Sequence, residues 1–205
     1  MIFTLAQTCH SEILVRKSRF IGCVQVVSSR SEAQEIIAHL RKTHPTATHI
    51  CWALLAGGHS AAVDDGEPSG TAGRPMLEIL RKQSLEGVLA SAVRYYGGIP
   101  LGSGGLIRAY SECISTALGT TEKIRLIPQS IYFCQCPLAL ESKFRHLLAS
   151  IGGVLLSVQH SESTHMHIRI ADEIAESLWQ QAREISRGSI LWQKVDQSPT
   201  STQNC

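Results

Sequence analysis

The chain has 205 residues, of which 43% are hydrophobic and 18% charged, and its formal net charge is +2. This composition is typical of a water-soluble globular protein and allows one large domain or two small ones. No apolar run approaches the ~20 residues that a membrane span needs, so a membrane partner is not expected. A net charge this small gives no general attraction to nucleic acid, so any such binding must come from a local patch.

The cysteines and the N-terminal residues bear on the cellular compartment. The seven cysteines are an odd number, and they contain no C-x-x-C pair. The first residues lack the basic lead and apolar stretch of a signal peptide. We therefore expect reduced thiols and a cytoplasmic protein.

In chain order, the first 128 residues predict strands and helices that alternate irregularly. Ser31 followed by Gln34 is a capping-box signal, and Pro45 disfavours helix just before it, so a helix is expected between them. A continuous apolar run at 88–93 is typical of a strand buried on both faces. The predicted elements are strands at 13–16 and 20–27, a helix at 31–42, a strand at 50–56, a loop at 57–73, a helix at 75–80, a strand at 88–93, a helix at 103–117 and a closing strand at 124–127.

The remaining chain predicts a more regular pattern. Its elements are a strand at 130–136, a helix at 138–150, two strands at 154–159 and 164–170, a helix from Asp172 to 185 and a last strand at 189–195. The order βαββαβ is the ferredoxin-like pattern. The sequence thus predicts an α+β protein with two domains, residues 1–128 and 129–196, and a disordered tail at 197–205.

Glycines cluster in two segments of the first domain, and each segment leads into a predicted helix. Such clusters indicate positive-φ turns or a close backbone approach, and the free N–H groups of a helix start favour anions. A tight strand-to-helix turn explains the same residues equally well, and neither segment matches a Walker loop or a dinucleotide fingerprint. The candidate binding residues of the two segments are Gly70, Thr71, Gly73, Gly97, Gly98, Gly102, Ser103, Gly104 and Gly105.

Arginines and tyrosines near these glycines are the candidate nucleic-acid ligands. Arg74, Arg94 and Arg108 can grip phosphates, and we expect them to line one shared hollow. Tyr95 and Tyr96 can stack on unpaired bases. Strand alternation places Arg94 and Tyr96 on one face and Tyr95 on the other, so at least one tyrosine is expected in the core.

Acidic and metal-binding residue types are also present in this region. Asp65 and Glu67 fit either an acidic pair for acid–base or cation chemistry, or ordinary turn residues. His49 and Cys51 would share a strand face, where a hydrogen-bonded histidine and a buried thiol are the simpler interpretation, because the histidine and cysteine spacing matches no usual zinc set. No metal, cofactor or catalytic residue is predicted.

The central motifs resemble those of one known family. The segments DDGEPSGTAGRP at 64–75, VRYYGG at 93–98 and LGSGGL at 101–106 are closely similar to those of the IMPACT family. The resemblance implies a first domain like the second domain of a small-subunit ribosomal protein, and a second domain like domain V of elongation factor G. It also implies a role in regulation of translation for some members.

Two functions are carried forward from the sequence. The first is a non-enzymatic cytoplasmic protein that binds RNA or the ribosome and influences translation. The second is an enzyme that binds a nucleotide or another phosphate-containing small molecule through the glycine-rich loops. In that second case Asp65 or Glu67 would serve as a metal ligand or base.

Overall fold

A computed structural model of the chain describes residues 1–195. The tail predicted at 197–205 lies outside the described residues. Contacts within the chain divide it into two compact units, Met1–Leu126 and a second that begins at Ile127. The chain is an α+β protein, as predicted, with mainly antiparallel sheets in both units.

The first unit contains seven strands and three helices. In chain order they are β1 (Ile2–Leu5), β2 (Cys9–Val15), β3 (Ser18–Val26), α1 (Arg30–Thr43), β4 (His49–Ala56), β5 (His59–Val63), α2 (Gly73–Lys82), β6 (Val88–Tyr95), α3 (Ser103–Leu118) and β7 (Lys123–Leu126). Five strands form an antiparallel sheet in the order β2-β3-β6-β4-β5, while β1 and β7 pair separately. The central position of β6 explains its continuous apolar sequence, because both of its faces are covered.

Side chains alternate between the two faces of this sheet. On β4, Cys51 and Ala53 belong to the core under α2 and α3. Trp52 and Leu54 belong to a separate cluster under α1. The period of two along the strand thus produces three layers, with α1 on one side of the sheet and α2 and α3 on the other.

Two strands were not predicted. Strand β5 lies within the predicted loop at 57–73 and pairs with β4 through a turn at Gly57 and Gly58, whose φ angles of 59° and 74° suit a two-residue hairpin. Strand β1 pairs with β7, more than a hundred residues away, so no local pattern marks it. The α1 cap was also misplaced: Ser29 rather than Ser31 accepts the hydrogen bond from the Glu32 amide.

The second unit has the predicted βαββαβ order. Its elements are β8 (Gln129–Cys136), a 3-10 turn (Leu138–Leu140), α4 (Glu141–Ser150), β9 (Val154–His160), β10 (Thr164–Ala171), α5 (Asp172–Ser186) and β11 (Leu191–Val195). The sheet order β11-β8-β10-β9, antiparallel throughout, gives the ferredoxin-like arrangement. Trp179 and Trp192 are partly buried against its core, and their ring centroids lie 5.7 Å apart.

Candidate nucleic-acid interface

Helix α3 begins with an exposed first turn that carries no negative charge. Its N-cap is Gly102, with φ 69° and ψ 164°, a conformation essentially confined to glycine. No side chain caps the helix, and no acidic residue lies in its first turn. Within residues 1–195 no hydrogen bond reaches the amides of residues 103–105. These N–H groups and the helix dipole favour an anion at this end.

Helix α2 also follows a glycine-rich loop, but its start is occupied from within. The Asp64 carboxylate accepts hydrogen bonds from the amides of Gly70 at 2.7 Å, Ala72 at 3.0 Å and Gly73 at 2.9 Å. Thr71 is buried and donates its hydroxyl proton to the Pro68 carbonyl. The amides of Gly70 and Gly73, predicted to meet a ligand, therefore already bind a carboxylate of the same chain.

Arg94 and Glu67 form a buried ion pair beneath the start of α3. Arg94 Nη1 lies 2.6 Å from Glu67 Oε1, and the two side chains are 5% and 3% exposed. The hydroxyl of Tyr110, which lies about two turns after the start of α3, donates to the same Oε1 at 2.7 Å. The prediction that Arg94 grips an external phosphate is corrected here, because its charge is neutralised internally. Its Nε is buried without a hydrogen-bond partner.

His49 and Cys51 take the roles of a hydrogen-bonded histidine and a buried thiol, as the simpler interpretation predicted. His49 Nδ1 lies 2.8 Å from the carbonyl oxygen of Asp65, and Cys51 Sγ lies 2.9 Å from that of Asp64. Burial raises the pKa of the Cys51 thiol to about 12, so it is protonated at neutral pH. Within residues 1–195 no group of three metal-ligating side chains is present.

Asp65 and Glu67 do not act as an acidic pair. The Asp65 carboxylate accepts from the Ile50 amide and from Arg41, both at 2.7 Å, whereas Glu67 is bound to Arg94 and Tyr110. Burial works to raise the pKa of Asp65, but the hydrogen bonds from Arg41 and Ile50 outweigh it and leave that pKa below its usual range. Each carboxylate thus holds the loop in place.

A pocket of about 420 Å³ lies between this network and the start of α3. The buried pair Glu67 and Arg94 and the half-buried His49 form its floor. Its exposed wall includes Tyr96, which is 47% exposed and has its ring centroid 5.4 Å from the Arg94 guanidinium carbon. The other lining residues are Thr48, Pro68, Pro100, Leu101, Gly102, Ser103 and Leu106.

The predicted arginines do not share one hollow. Arg74 is exposed and lines a separate groove between α2 and α3, together with Gly70, Lys82 and Ile107. Arg108 is exposed on α3, four residues after Gly104 and thus on the same helix face. Within residues 1–195 neither arginine has an ion-pair partner.

The remaining predicted residues divide between structure and surface. A Cβ at Gly97 would lie 2.1 Å from the Lys17 backbone, so only glycine allows the chain after β6 to pack against the turn between β2 and β3. Gly98 and Gly104 have open space around them. The prediction that one tyrosine lies in the core is wrong. Tyr95 is half-buried and lies 2.7 Å from His44 Nδ1, and Tyr96 is exposed.

Sequence reasoning missed three residues that shape this site. Asp64 was considered only as a turn or metal residue, and Tyr110 only as part of the apolar stripe of α3. His49 was predicted as a hydrogen-bonded strand histidine, but not as part of a ligand site. Each acts through a partner 6 to 43 residues away along the chain. The sequence gives no local signal for these roles. Asp64, for example, lies eight residues before Ala72, the N-cap of α2, and so outside the position at which capping residues are recognised.

Comparisons with known proteins identify the family. The Impact N-terminal domain model matches residues 16–118. IMPACT family member YvyE of Bacillus subtilis (strain 168) is 35% identical over 189 residues, which is 91% of this chain and 87% of that protein. IMPACT family member YigZ of Escherichia coli (strain K12) is 34% identical over 182 residues, 86% and 89% of the two chains. The chain belongs to the IMPACT family, which confirms the resemblance seen in its motifs.

A solved structure agrees with the fold across both units. A crystal structure of a hypothetical protein is similar with a TM-score of 0.75 and 29% identity, covering 96% of this chain and 98% of that one. Among the described residues, none of the helices is both long and apolar enough to span a membrane.

Proposed function

We propose that the protein binds unpaired RNA, the exposed RNA of the ribosome included, through the start of α3, and thereby influences translation. The observation that carries this proposal is the uncapped first turn of α3, with Arg108 on the same helix and the exposed ring of Tyr96 beside it. Backbone amides and an arginine bind phosphate, and an exposed aromatic ring stacks on a base.

The cations around this turn support a phosphate-binding surface. Arg108 extends toward the first turn of α3, because helical side chains lean toward the N-terminus of their helix. Arg74 and Lys82 lie along the groove between α2 and α3, whose α3 side is formed by Ile107 and Ser111. All three are exposed and have no ion-pair partner within residues 1–195. RNA passing over α3 would therefore meet three available positive charges.

Tyr96 supports recognition of an unpaired base rather than a duplex. Its ring is backed by the Arg94 guanidinium, which also lies 5.4 Å from the ring centroid of Phe20. Such bracing restricts the ring before a base arrives and reduces the ordering entropy of binding. Stacking on an aromatic ring requires a base that is free of its own helix.

The role in translation and the cytoplasmic location are parts of the same proposal. Two points support them. The family resemblance implies a first unit like a ribosomal-protein domain and a second like a domain of elongation factor G, and the second unit has the ferredoxin-like sheet order. The six cysteines within residues 1–195 are free thiols, which suits a reducing compartment. We favour a non-enzymatic role, because the enzyme alternative needs Asp65 or Glu67, and both carboxylates are engaged by internal partners.

Fluorescence anisotropy with a labelled single-stranded RNA of 12 nucleotides tests the proposal. We expect binding that weakens as salt rises, and Arg108→Ala should weaken it about fivefold and lower the salt slope by about 0.7, the loss of one phosphate contact. The matched control is Arg30→Ala, which removes an exposed arginine from α1 on the opposite face of the sheet. The proposal is overturned by binding that does not respond to salt, by no binding, or by equal effects of the two variants.

A further inference from the structure

The pocket beside α3 has a floor that is unsuitable for a phosphate. Glu67 neutralises Arg94, so the buried pair contributes no net positive charge. Of the two Glu67 oxygens, Oε1 already accepts from Arg94 and Tyr110. Oε2 lacks a hydrogen bond from any residue within 1–195, and a phosphate placed against it would be repelled. The floor is built to receive a hydrogen-bond donor.

His49 supplies a second acceptor next to the first. Its Nδ1 lies 2.8 Å from the Asp65 carbonyl oxygen, which can only accept, so the proton is on Nδ1. In the neutral ring Nε2 is then an acceptor, and it lies 3.9 Å from Glu67 Oε2. With the ring in this neutral form, the pocket floor presents two neighbouring acceptors and calls for two neighbouring donors.

Among RNA bases, guanine carries two neighbouring N–H donors on its Watson–Crick edge, at N1 and at the N2 amino group. In uracil the single N–H lies between two carbonyl oxygens, and in adenine and cytosine the amino group lies beside a ring nitrogen that accepts. Each of these would place an acceptor against Glu67 or His49. We propose that this pocket binds an unpaired guanine, an inference that rests on the proposed RNA binding.

The walls of the pocket suit a flat ring. Tyr96, Pro68 and Pro100 offer flat apolar surfaces, and Leu101 and Leu106 complete the lining. A volume of about 420 Å³ lies within the 300–1,000 Å³ typical of small-molecule pockets. Gly102 and Ser103 also line it, so the amides at the start of α3 can meet the phosphate of the same nucleotide.

The two acceptors are held rigidly, which favours selectivity over mere affinity. Glu67 is fixed by Arg94 and Tyr110, and His49 by the Asp65 carbonyl. Because these acceptors cannot rotate away, a base without matching donors would remove their water and leave them without hydrogen bonds. The free-energy cost of such unpaired groups discriminates strongly against the wrong base.

The test compares 12-nucleotide uridine RNAs that differ only at one central base. With the unmodified protein, guanine should bind at least fivefold more tightly than uridine, since one bidentate base contact contributes about 1–3 kcal/mol. Inosine, which lacks the N2 amino group, should lose most of that gain. Equal binding of all central bases would overturn the guanine inference and leave the RNA proposal standing. Absence of binding to every RNA would overturn both.

Two variants locate the preference in the pocket. Glu67→Gln replaces the carboxylate, whose two oxygens both accept, by an amide with one acceptor and one donor group. His49→Leu removes the acceptor Nε2. Each should abolish the preference for guanine over inosine while salt-sensitive binding to the uridine RNA remains. Because Glu67→Gln also breaks a buried ion pair, His49→Leu provides the decisive result if the first variant unfolds. His59→Leu, an exposed histidine on β5, is the matched control and should keep the preference. A preference retained in His49→Leu would contradict the proposal.

Discussion

The starts of α2 and α3 both follow glycine-rich loops, but only the start of α2 is occupied by a side chain of the same chain. Each follows a glycine-rich loop, and neither has a side-chain cap at the N-cap position itself. At α2 the carboxylate of Asp64 accepts three backbone amides. At α3 there is no acidic residue in the first turn, and the amides are exposed. A glycine-framed helix start favours an anion in both cases. At α2 a carboxylate of the same chain takes that place, whereas at α3 no internal carboxylate does so within residues 1–195.

Among the changes at these two helix starts, removal of the Asp64 carboxylate should have the largest effect on stability. Asp64→Ala leaves three amides at the start of α2 without an acceptor. We expect the free energy of unfolding to fall by about 3 kcal/mol, because hydrogen bonds to charged groups contribute about 1.5–3 kcal/mol each and the three losses are not additive. Urea denaturation followed by circular dichroism measures it. Ser103→Ala at the start of α3 is the matched control and should change stability by less than about 0.5 kcal/mol. Equal changes would mean that the two helix starts do not differ as described.

A smaller effect is expected at Asp65, which fixes the same loop from its other side. Asp65→Asn should lower the free energy of unfolding by about 1.5 kcal/mol at neutral pH, through weaker bonds to Arg41 and the Ile50 amide. The pKa of Asp65 is depressed in the folded protein, so its contribution is present above the unfolded pKa of about 3.9 and is lost as pH falls through the folded pKa.

Urea titrations at pH 7 and in steps below pH 4 check this dependence. The difference in stability between the unmodified protein and Asp65→Asn should shrink as the pH is lowered. A difference that is constant across this range, or that grows on acidification, would show that the carboxylate charge is not what stabilises the loop.

The smallest change in stability is expected at Gly104, and it carries the opposite sign. A Cβ at this position meets nothing within 4 Å, and Gly→Ala inside a helix adds about 0.5–1 kcal/mol. Gly104→Ala should therefore raise the melting temperature, yet weaken RNA binding by covering exposed amides. Thermal denaturation and anisotropy on the same preparation measure both. Gly188→Ala is unsuitable as a control because φ is 82° there. Ala149→Gly, at an exposed position of α4, should lower stability and leave RNA binding unchanged. Tighter RNA binding by Gly104→Ala would argue against contact at this turn.

Sequence patterns predicted most of the fold because most of its elements are locally specified. The period of apolar residues located α3 and the whole second unit, and the uninterrupted apolar run identified β6 as a central strand. Strand β5 was missed because His59–Val63 is rich in alanine and serine, although the Gly57-Gly58 pair before it is a hairpin signal. Strand β1 depends on a partner at the far end of the unit.

The candidate site was predicted less well, because its chemistry depends on pairs that are distant in sequence. Arginine, tyrosine and glycine types directed the prediction to the region around 94–108, where the structure places an exposed helix start and a pocket. The residue pattern had no means of showing that Arg94 is paired with Glu67, 27 positions earlier. Because of that ion pair, Arg94 has no free charge for a phosphate, whereas exposed Arg108 does. The pocket floor presents a carboxylate oxygen of Glu67, which accepts hydrogen bonds.

The distribution of tryptophan gives each unit its own optical reporter. Trp52 lies in the first unit, while Trp179 and Trp192 are neighbours in the second, and these are all three tryptophans of the chain. Replacement of the latter two by phenylalanine would leave emission from Trp52 alone. Denaturation of the first unit can then be watched inside the intact chain, and compared with emission from a Trp52→Phe protein. Any gap between the two midpoints measures how far the units melt independently.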